Sequence, residues 1–259
     1  MSRRLPALAL LGLLLCPAPA FPWGAPGHLT VARVAETLLT PPARAAVADL
    51  LGPGGDLAQV AMWADEIKPS HPETAPWHYV NIPRTAAGYD AARDCPHTCI
   101  VTALDWFLRV VGDPQADRAA RQEALRWVVH FMGDIHQPLH AADDDDSGGA
   151  DVAVRFFGKP SNLRGVWDGD IIERVYGNPE ALTAWVLTLV TPEARKAWEA
   201  GTPAAWATES HGLAVRVAYA IPRSGELNEA YVAKALPVIH EQLAKAGVRL
   251  AWVLNRMLR

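Results

Sequence analysis

Apolar residues recur at helical spacing along most of the chain. From Gly27 onward Leu29, Val31, Val34, Ala35, Leu38 and Leu39 form one stripe; Pro41-Pro42 stops that helix and opens the next, Ala43 to Leu51. Asp56 is placed to cap a third helix carrying Val60, Met62, Trp63, Asp65 and Lys68, which Pro69 ends. An irregular stretch through residues 77–81 precedes a helix from Ile100 to Val111, and Pro114 opens a long helix running to Asp134. Between His136 and Ser161 the periodicity fails. Asp143 to Asp146 is a carboxylate run, Gly148-Gly149 breaks the chain, and Val152 to Phe157 alternates as one strand of a small hairpin. Apolar stripes then predict helices at Ala181 to Val190, Ala204 to Tyr219, Glu226 to Lys245 and Val248 to Leu258. The pattern predicts a mostly α, single-domain fold with a small β-hairpin region and no repeats.

With 259 residues, 50% of them hydrophobic and 20% charged, the chain can bury one full core. The ten tryptophans are expected mostly inside it. Arg3 and Arg4 ahead of Leu5 to Leu15, then Ala18-Pro19-Ala20, read as a secretory signal peptide. The apolar stretch is short for a membrane span. The expected division is a leader over residues 1–22, cut after residue 20 or 22, and one domain over 23–259. The protein is expected to be secreted or periplasmic, a monomer, and without stable membrane association. Without the leader's two arginines, 22 basic residues face 28 acidic ones, a formal charge of −6. No basic field gathers nucleic acid, so a phosphodiester substrate needs its charge met locally. Cys16 leaves with the leader, and export favours a disulfide between Cys95 and Cys99 over two free thiols.

The segment His130-Phe131-Met132-Gly133-Asp134-Ile135-His136-Gln137-Pro138-Leu139-His140 sets three histidines and a carboxylate on an otherwise apolar stretch. His130 and Asp134 stand four apart on one helix face, and Pro138 ends the helix so that His140 can turn back towards them. Imidazole and carboxylate are zinc ligands. Asp65 in Trp63-Ala64-Asp65, His78 in Trp77-His78-Tyr79, His28 near Trp23-Gly24, and Asp168 after Trp167 each have a bland reading, a surface or core residue. Together around one cluster they indicate a multinuclear site.

With these residues in view, the chain resembles the secreted zinc-dependent single-strand nucleases of the S1/P1 type, relatives of zinc phospholipase C, over essentially all of residues 23–259. The matching stretches are Trp23-Gly24, Trp63-Ala64-Asp65 with Lys68, Trp77-His78-Tyr79-Val80-Asn81, the His130 to His140 block, Gly148-Gly149 before Asp151, and Asn162-Leu163 before Val166-Trp167-Asp168. The resemblance implies a helical fold with three zincs in one cleft. The first would take Asp65, His78, His130 and Asp134. The second, bridged by Asp134, would take His28 and the amino and carbonyl groups of a terminal Trp23. The third would take His140, the histidine of an Asn-Leu-His motif, and Asp168. His136 is left to structural work. Tyr79 would stack on a nucleobase, Asn81 would meet the base edge, and Lys68 would hold a phosphate. The implied substrates are single-stranded DNA or RNA, cut to 5′-phosphates, and nucleotides as for a 3′-nucleotidase.

The chain departs from that pattern where Arg164 replaces the histidine of Asn-Leu-His, since a guanidinium stays protonated and cannot coordinate zinc. Ala150 likewise replaces an amide in Gly-Gly-Asn-Asp. The cofactor count is therefore two or three zincs. Arg164 either supplies the missing charge to the reaction or merely pairs with Asp168 or the carboxylate run. A lipid-headgroup phosphodiesterase is the rival enzyme reading, opposed by Asp168 where zinc phospholipase C carries Glu. A metal-binding protein without chemistry is the rival outside enzymes.

Overall fold

The computed structural model describes residues 23–52 and 54–259. The expected leader over residues 1–22 lies outside the described residues. The chain runs through helices α1 (Gly24–Leu38), α2 (Pro41–Leu51), α3 (Leu57–Val60), α4 (Trp63–Ile67), α5 (Ala91–Asp94), α6 (Ile100–Gly112) and α7 (Arg118–Asp134). The hairpin of β1 (Ala153–Phe156) and β2 (Lys159–Asn162) leads to α8 (Leu163–Gly165), α9 (Ile171–Tyr176), α10 (Pro179–Leu187), α11 (Pro192–Trp198) and α12 (Pro203–Leu213). Strand β3 (Glu226–Leu227) and helix α13 (Glu229–Met257) complete it. No helix among the described residues is long and apolar enough to cross a membrane.

Helix starts follow local chemistry. Asp56 accepts the Gln59 amide and Asp117 accepts the Ala120 amide, so the long helix begins at Arg118 rather than at Pro114. The helix expected from Asp56 to Pro69 is broken in two at Ala61-Met62. The Ala61 carbonyl turns to accept the His130 ring, so the break serves the site described below.

Two further expectations are corrected. Glu226 and Leu227 do not begin a helix; they pair in parallel with Arg155 and Phe156, and Asn228 caps the helix that follows. Gly247 does not separate two helices. It lies within α13, where a Cβ would come 2.5 Å from Val34, so glycine lets α1 and α13 pack closely. Most tryptophans do lie inside: Trp23, Trp127, Trp167 and Trp206 are buried and Trp63, Trp77, Trp198 and Trp252 pack against the core, while Trp106 and Trp185 are exposed. The core lies between α1, α7 and α13, with α6 against α7 and α10 against α1. The site sits where α1, α4 and the end of α7 meet.

Candidate metal centre

His130 and Asp134 close the last turn of α7, both fully buried, with His130 Nε2 3.2 Å from Asp134 Oδ2. The His130 Nδ1 proton is given to the Ala61 carbonyl at 2.7 Å. Nε2 must therefore present its lone pair or take a cation, and it faces Asp134 and, at 3.5 Å, Asp65 Oδ1. His78 ends a 3₁₀ turn, Pro72–His78, and its Nδ1 approaches Asp134 Oδ2 to 2.8 Å and Asp65 Oδ1 to 3.8 Å. Phe131 packs edge-on against the His78 ring, with centroids 5.1 Å apart. That aromatic side keeps water from the cluster.

His28 reaches the same carboxylate from α1. Its ring stacks on His130 at 3.9 Å, and Nε2 lies 3.3 Å from Asp134 Oδ1. Gly133 permits this approach, since a Cβ there would stand 2.7 Å from the His28 ring. Asp134 thus has one oxygen towards His28 and the other towards His78 and His130. Donor atoms of His28, His130 and Asp134 form one group that fits a metal ion, and those of Asp65, His78 and His130 form another.

His78 Nδ1 donates to Asp134 Oδ2, but other polar atoms of the cluster are left facing one another without a donor between them. His130 Nε2, Asp134 Oδ1 and Asp65 Oδ2 are buried and make no hydrogen bond to a described residue. Such groups are costly unless a cation joins them. A proton fills that role in part. Burial opposes charge on His130, yet Asp134 and Asp65 outweigh it and raise the imidazole to about 10. Burial also works against the Asp134 carboxylate, but His130, His28 and His78 hold it well below the usual carboxylate range. His78 stays neutral, pushed by burial down to about 4. Neutral imidazoles around ionised carboxylates form the donor set of zinc, whereas magnesium and calcium take oxygen ligands.

A third corner lies beside this pair. The Pro138–His140 turn brings His140 back as expected. His140 Nδ1 donates to the His78 carbonyl at 2.9 Å, which leaves Nε2 facing Asp168 Oδ1 at 3.8 Å. Asp168 sits in a π turn, Val166–Asp170, and its Oδ1 accepts the Gln137 side-chain amide. Arg164 Nε lies 3.6 Å from Asp168 Oδ2. Trp23 is buried in the left-handed conformation at the head of α1, φ 38°. Its neighbour Gly24 passes so close to Asp168 that a Cβ would come 3.1 Å from the Asp168 carbonyl.

Three further candidates are Lys68, Tyr79 and Asn81. Lys68 Nζ stands 2.5 Å from Asp65 Oδ1, so its charge rests on a carboxylate of the cluster itself. Half-buried Tyr79 and exposed Asn81 border a cavity of about 390 Å³ closed by the Cys95–Cys99 disulfide loop. Both ring nitrogens of His136 are engaged elsewhere, by the Met132 carbonyl and Arg249. The sequence reading missed the Ala61 carbonyl, Gln137 and Gly133. Only Gln137 left a signal, a buried amide inside the ligand stretch.

The family model of the S1/P1 Nuclease matches residues 23–259. Endonuclease 4 of Arabidopsis thaliana is 35% identical, over 91% of this chain and 89% of that protein. Nuclease P1 of Penicillium citrinum is 32% identical, over 89% of this chain and 96% of its own length. Nuclease S1 of Aspergillus oryzae is 29% identical, over 88% and 89%. With the helical frame and the shared carboxylate, these matches establish that the chain belongs to the S1/P1 nuclease family.

Proposed function

We propose that this nuclease hydrolyses phosphodiester bonds in single-stranded DNA or RNA, leaving 5′-phosphates, with zinc held on both sides of Asp134. Asp65, His78, His130 and Asp134 would hold one ion. His28, Asp134 and the main-chain groups of a terminal Trp23 would hold the other, and His140 and Asp168 flank them. The same site would act on nucleotides as a 3′-nucleotidase. The observation that carries the reading is Asp134, whose two oxygens face two different sets of buried nitrogens.

When bound, the zinc pair supplies a water of near-neutral pKa and positive charge for the phosphate. The chain's own residues prepare the rest. Ala61 fixes the His130 tautomer, and the His78 carbonyl fixes that of His140, so both Nε2 lone pairs point inward. Phe131 and Trp127 wall off bulk water behind His78. Lys68, a quarter exposed at its side chain, offers its ammonium to a phosphate oxygen at the edge of the cluster. Tyr79 supplies a face on which any unpaired base can stack, a contact of roughly 1 to 3 kcal/mol that paired bases in a duplex cannot use. Asn81 meets the base edge.

Export through the leader in residues 1–22 accords with the Cys95–Cys99 disulfide. The test is hydrolysis of a circular single-stranded DNA beside its duplex form, with product ends read by mass. Cleavage of the single strand to 5′-phosphates, abolished by a chelator and restored by zinc, is the expected result. Equal cutting of both forms, or activity indifferent to chelation, defeats the reading. Tyr79→Ala should raise KM for oligonucleotides about tenfold.

A further inference from the structure

Resting on that reading, we propose that the guanidinium of Arg164 is the permanent cation of the third corner, so that this enzyme works with two metal ions and one arginine. The corner holds two candidate donors, His140 Nε2 and the Asp168 carboxylate, 3.8 Å apart. Neither belongs to a group of three metal-competent side chains among the described residues; both such groups are built on His130. The position from which a third donor could come, one helical turn before Asp168, carries Arg164.

The arginine is built into the corner. Its side chain is only 12% exposed, Nε faces Asp168 Oδ2 at 3.6 Å, and Nη1 donates to the Leu139 carbonyl at 3.2 Å. Gly148 makes room for it: at φ 62° this residue has no side chain, and a Cβ would stand 2.6 Å from Nη1 and equally close to the Leu139 carbonyl. On its other side Asp168 is held by Gln137. Asp168 Oδ1 therefore has an amide donor, while buried Oδ2 and His140 Nε2 make no hydrogen bond to a described residue, and the charge nearest Oδ2 is the guanidinium. A metal ion brought here would meet a fixed positive charge that cannot deprotonate to make way.

The nearby acidic run does not replace the missing ligand. Asp143 Oδ1 accepts the amides of Asp146 and Gly148, and Asp146 Oδ1 accepts the Gly149 amide and the Tyr219 hydroxyl. Asp144 pairs with Arg84, and Asp151 accepts the Ser147 hydroxyl. These carboxylates shape their own loop. Of the five guanidinium donors, those on Nη2 are left to meet a phosphodiester oxygen as negative charge grows on it. Asp168 and Leu139 then act as positioning groups for Arg164.

The experiment is zinc per chain by plasma mass spectrometry on the full exported protein after dialysis against metal-free buffer, with single-strand hydrolysis measured on the same samples. Two zincs are expected in the wild type, in Arg164→Ala and in Arg164→Lys, and three in Arg164→His, whose imidazole would complete a set with His140 and Asp168. The kcat of Arg164→Ala should fall about a hundredfold at unchanged zinc content, with part of the loss restored in Arg164→Lys. Three zincs in the wild type, or an Arg164→Ala kcat equal to wild type, overturns the proposal and leaves the nuclease reading standing. A wild type without zinc and without hydrolysis overturns the nuclease reading beneath it. If Arg164→His does not fold, the wild-type count and the Ala and Lys variants carry the test.

Discussion

Two buried histidine clusters lie six residues apart on the same stretch of chain, and they are wired in opposite ways. Around His136 donors and acceptors alternate. Its Nδ1 donates to the Met132 carbonyl, and its Nε2 accepts from Arg249 Nη1 at 2.8 Å. Arg249 continues to Glu209, which also takes Lys245. Gln242 donates to the His136 carbonyl and to Ser210, whose hydroxyl donates to Ile135. Burial first, then the Arg249 charge, holds the His136 imidazole well below its ordinary range, so it is neutral and fully used. Around His130 acceptors face acceptors. Burial is equal in the two places; what separates a structural histidine from a ligand is whether its second nitrogen already has a partner.

The largest test of that contrast is Asp134→Asn. It removes the carboxylate whose two oxygens face His28 on one side and His78 and His130 on the other, so zinc content should fall below one per chain. The loss of kcat/KM should be about a thousandfold or more, the scale of several kcal/mol of lost charge stabilisation. Chelation should lower the Tm of the wild type strongly, because zinc binds only the folded chain, and hardly move that of the variant. An Asp134→Asn protein with two zincs would end the claim that this residue joins them.

His136→Ala should do the reverse. It leaves Arg249 buried beside an empty acceptor, which costs about 2 to 3 kcal/mol and lowers Tm by roughly 5 to 10 °C. Zinc per folded chain should stay at the wild-type value. In a double-mutant cycle, Arg249→Met added to His136→Leu should cost less than the sum of the two single changes, since both partners then leave together. A His136→Ala protein that loses zinc but keeps its Tm would erase the distinction between the clusters.

Much of this contrast could be read from spacing, and some of it could not. His130 and Asp134 are four apart in an apolar helix, so their shared face follows from the helix period, and Pro138 announces the turn that returns His140. His136, by composition alone, is as good a ligand as its neighbours. Its exclusion depends on Arg249, 113 residues away, and no local pattern reports that partner. The same limit explains the misread elements. Gly247 looks like a helix break until Val34 is packed against it, and Glu226-Leu227 looks helical until β1 offers an edge. The break at Ala61 is invisible locally because the group that claims its carbonyl lies on α7.

The smallest effect, and the finest discrimination, is in the pH dependence of stability of the metal-free chain. The folded-state pKa of His136 lies below that of the unfolded chain, as does that of His78, at about 4. Each stabilises fully above pH 6.5, the unfolded value, and that share is lost as pH falls, at a slope approaching about 1 kcal/mol per pH unit. His130 is shifted the other way, to about 10, so its share is fully present below pH 6.5 and is lost as pH rises towards 10. The chelated protein should therefore be most stable near pH 6.5, and urea midpoints at pH 5, 6.5 and 8.5 in EDTA measure both flanks. His136→Gln should flatten only the acid flank and His130→Gln only the alkaline one. With zinc restored, the alkaline decline should vanish, because the ion displaces the proton from His130 and binds more tightly as that proton becomes easier to remove. An alkaline flank that survives zinc would mean that the His130 proton and the metal do not compete for one nitrogen, and the two histidine clusters would then differ only in their neighbours.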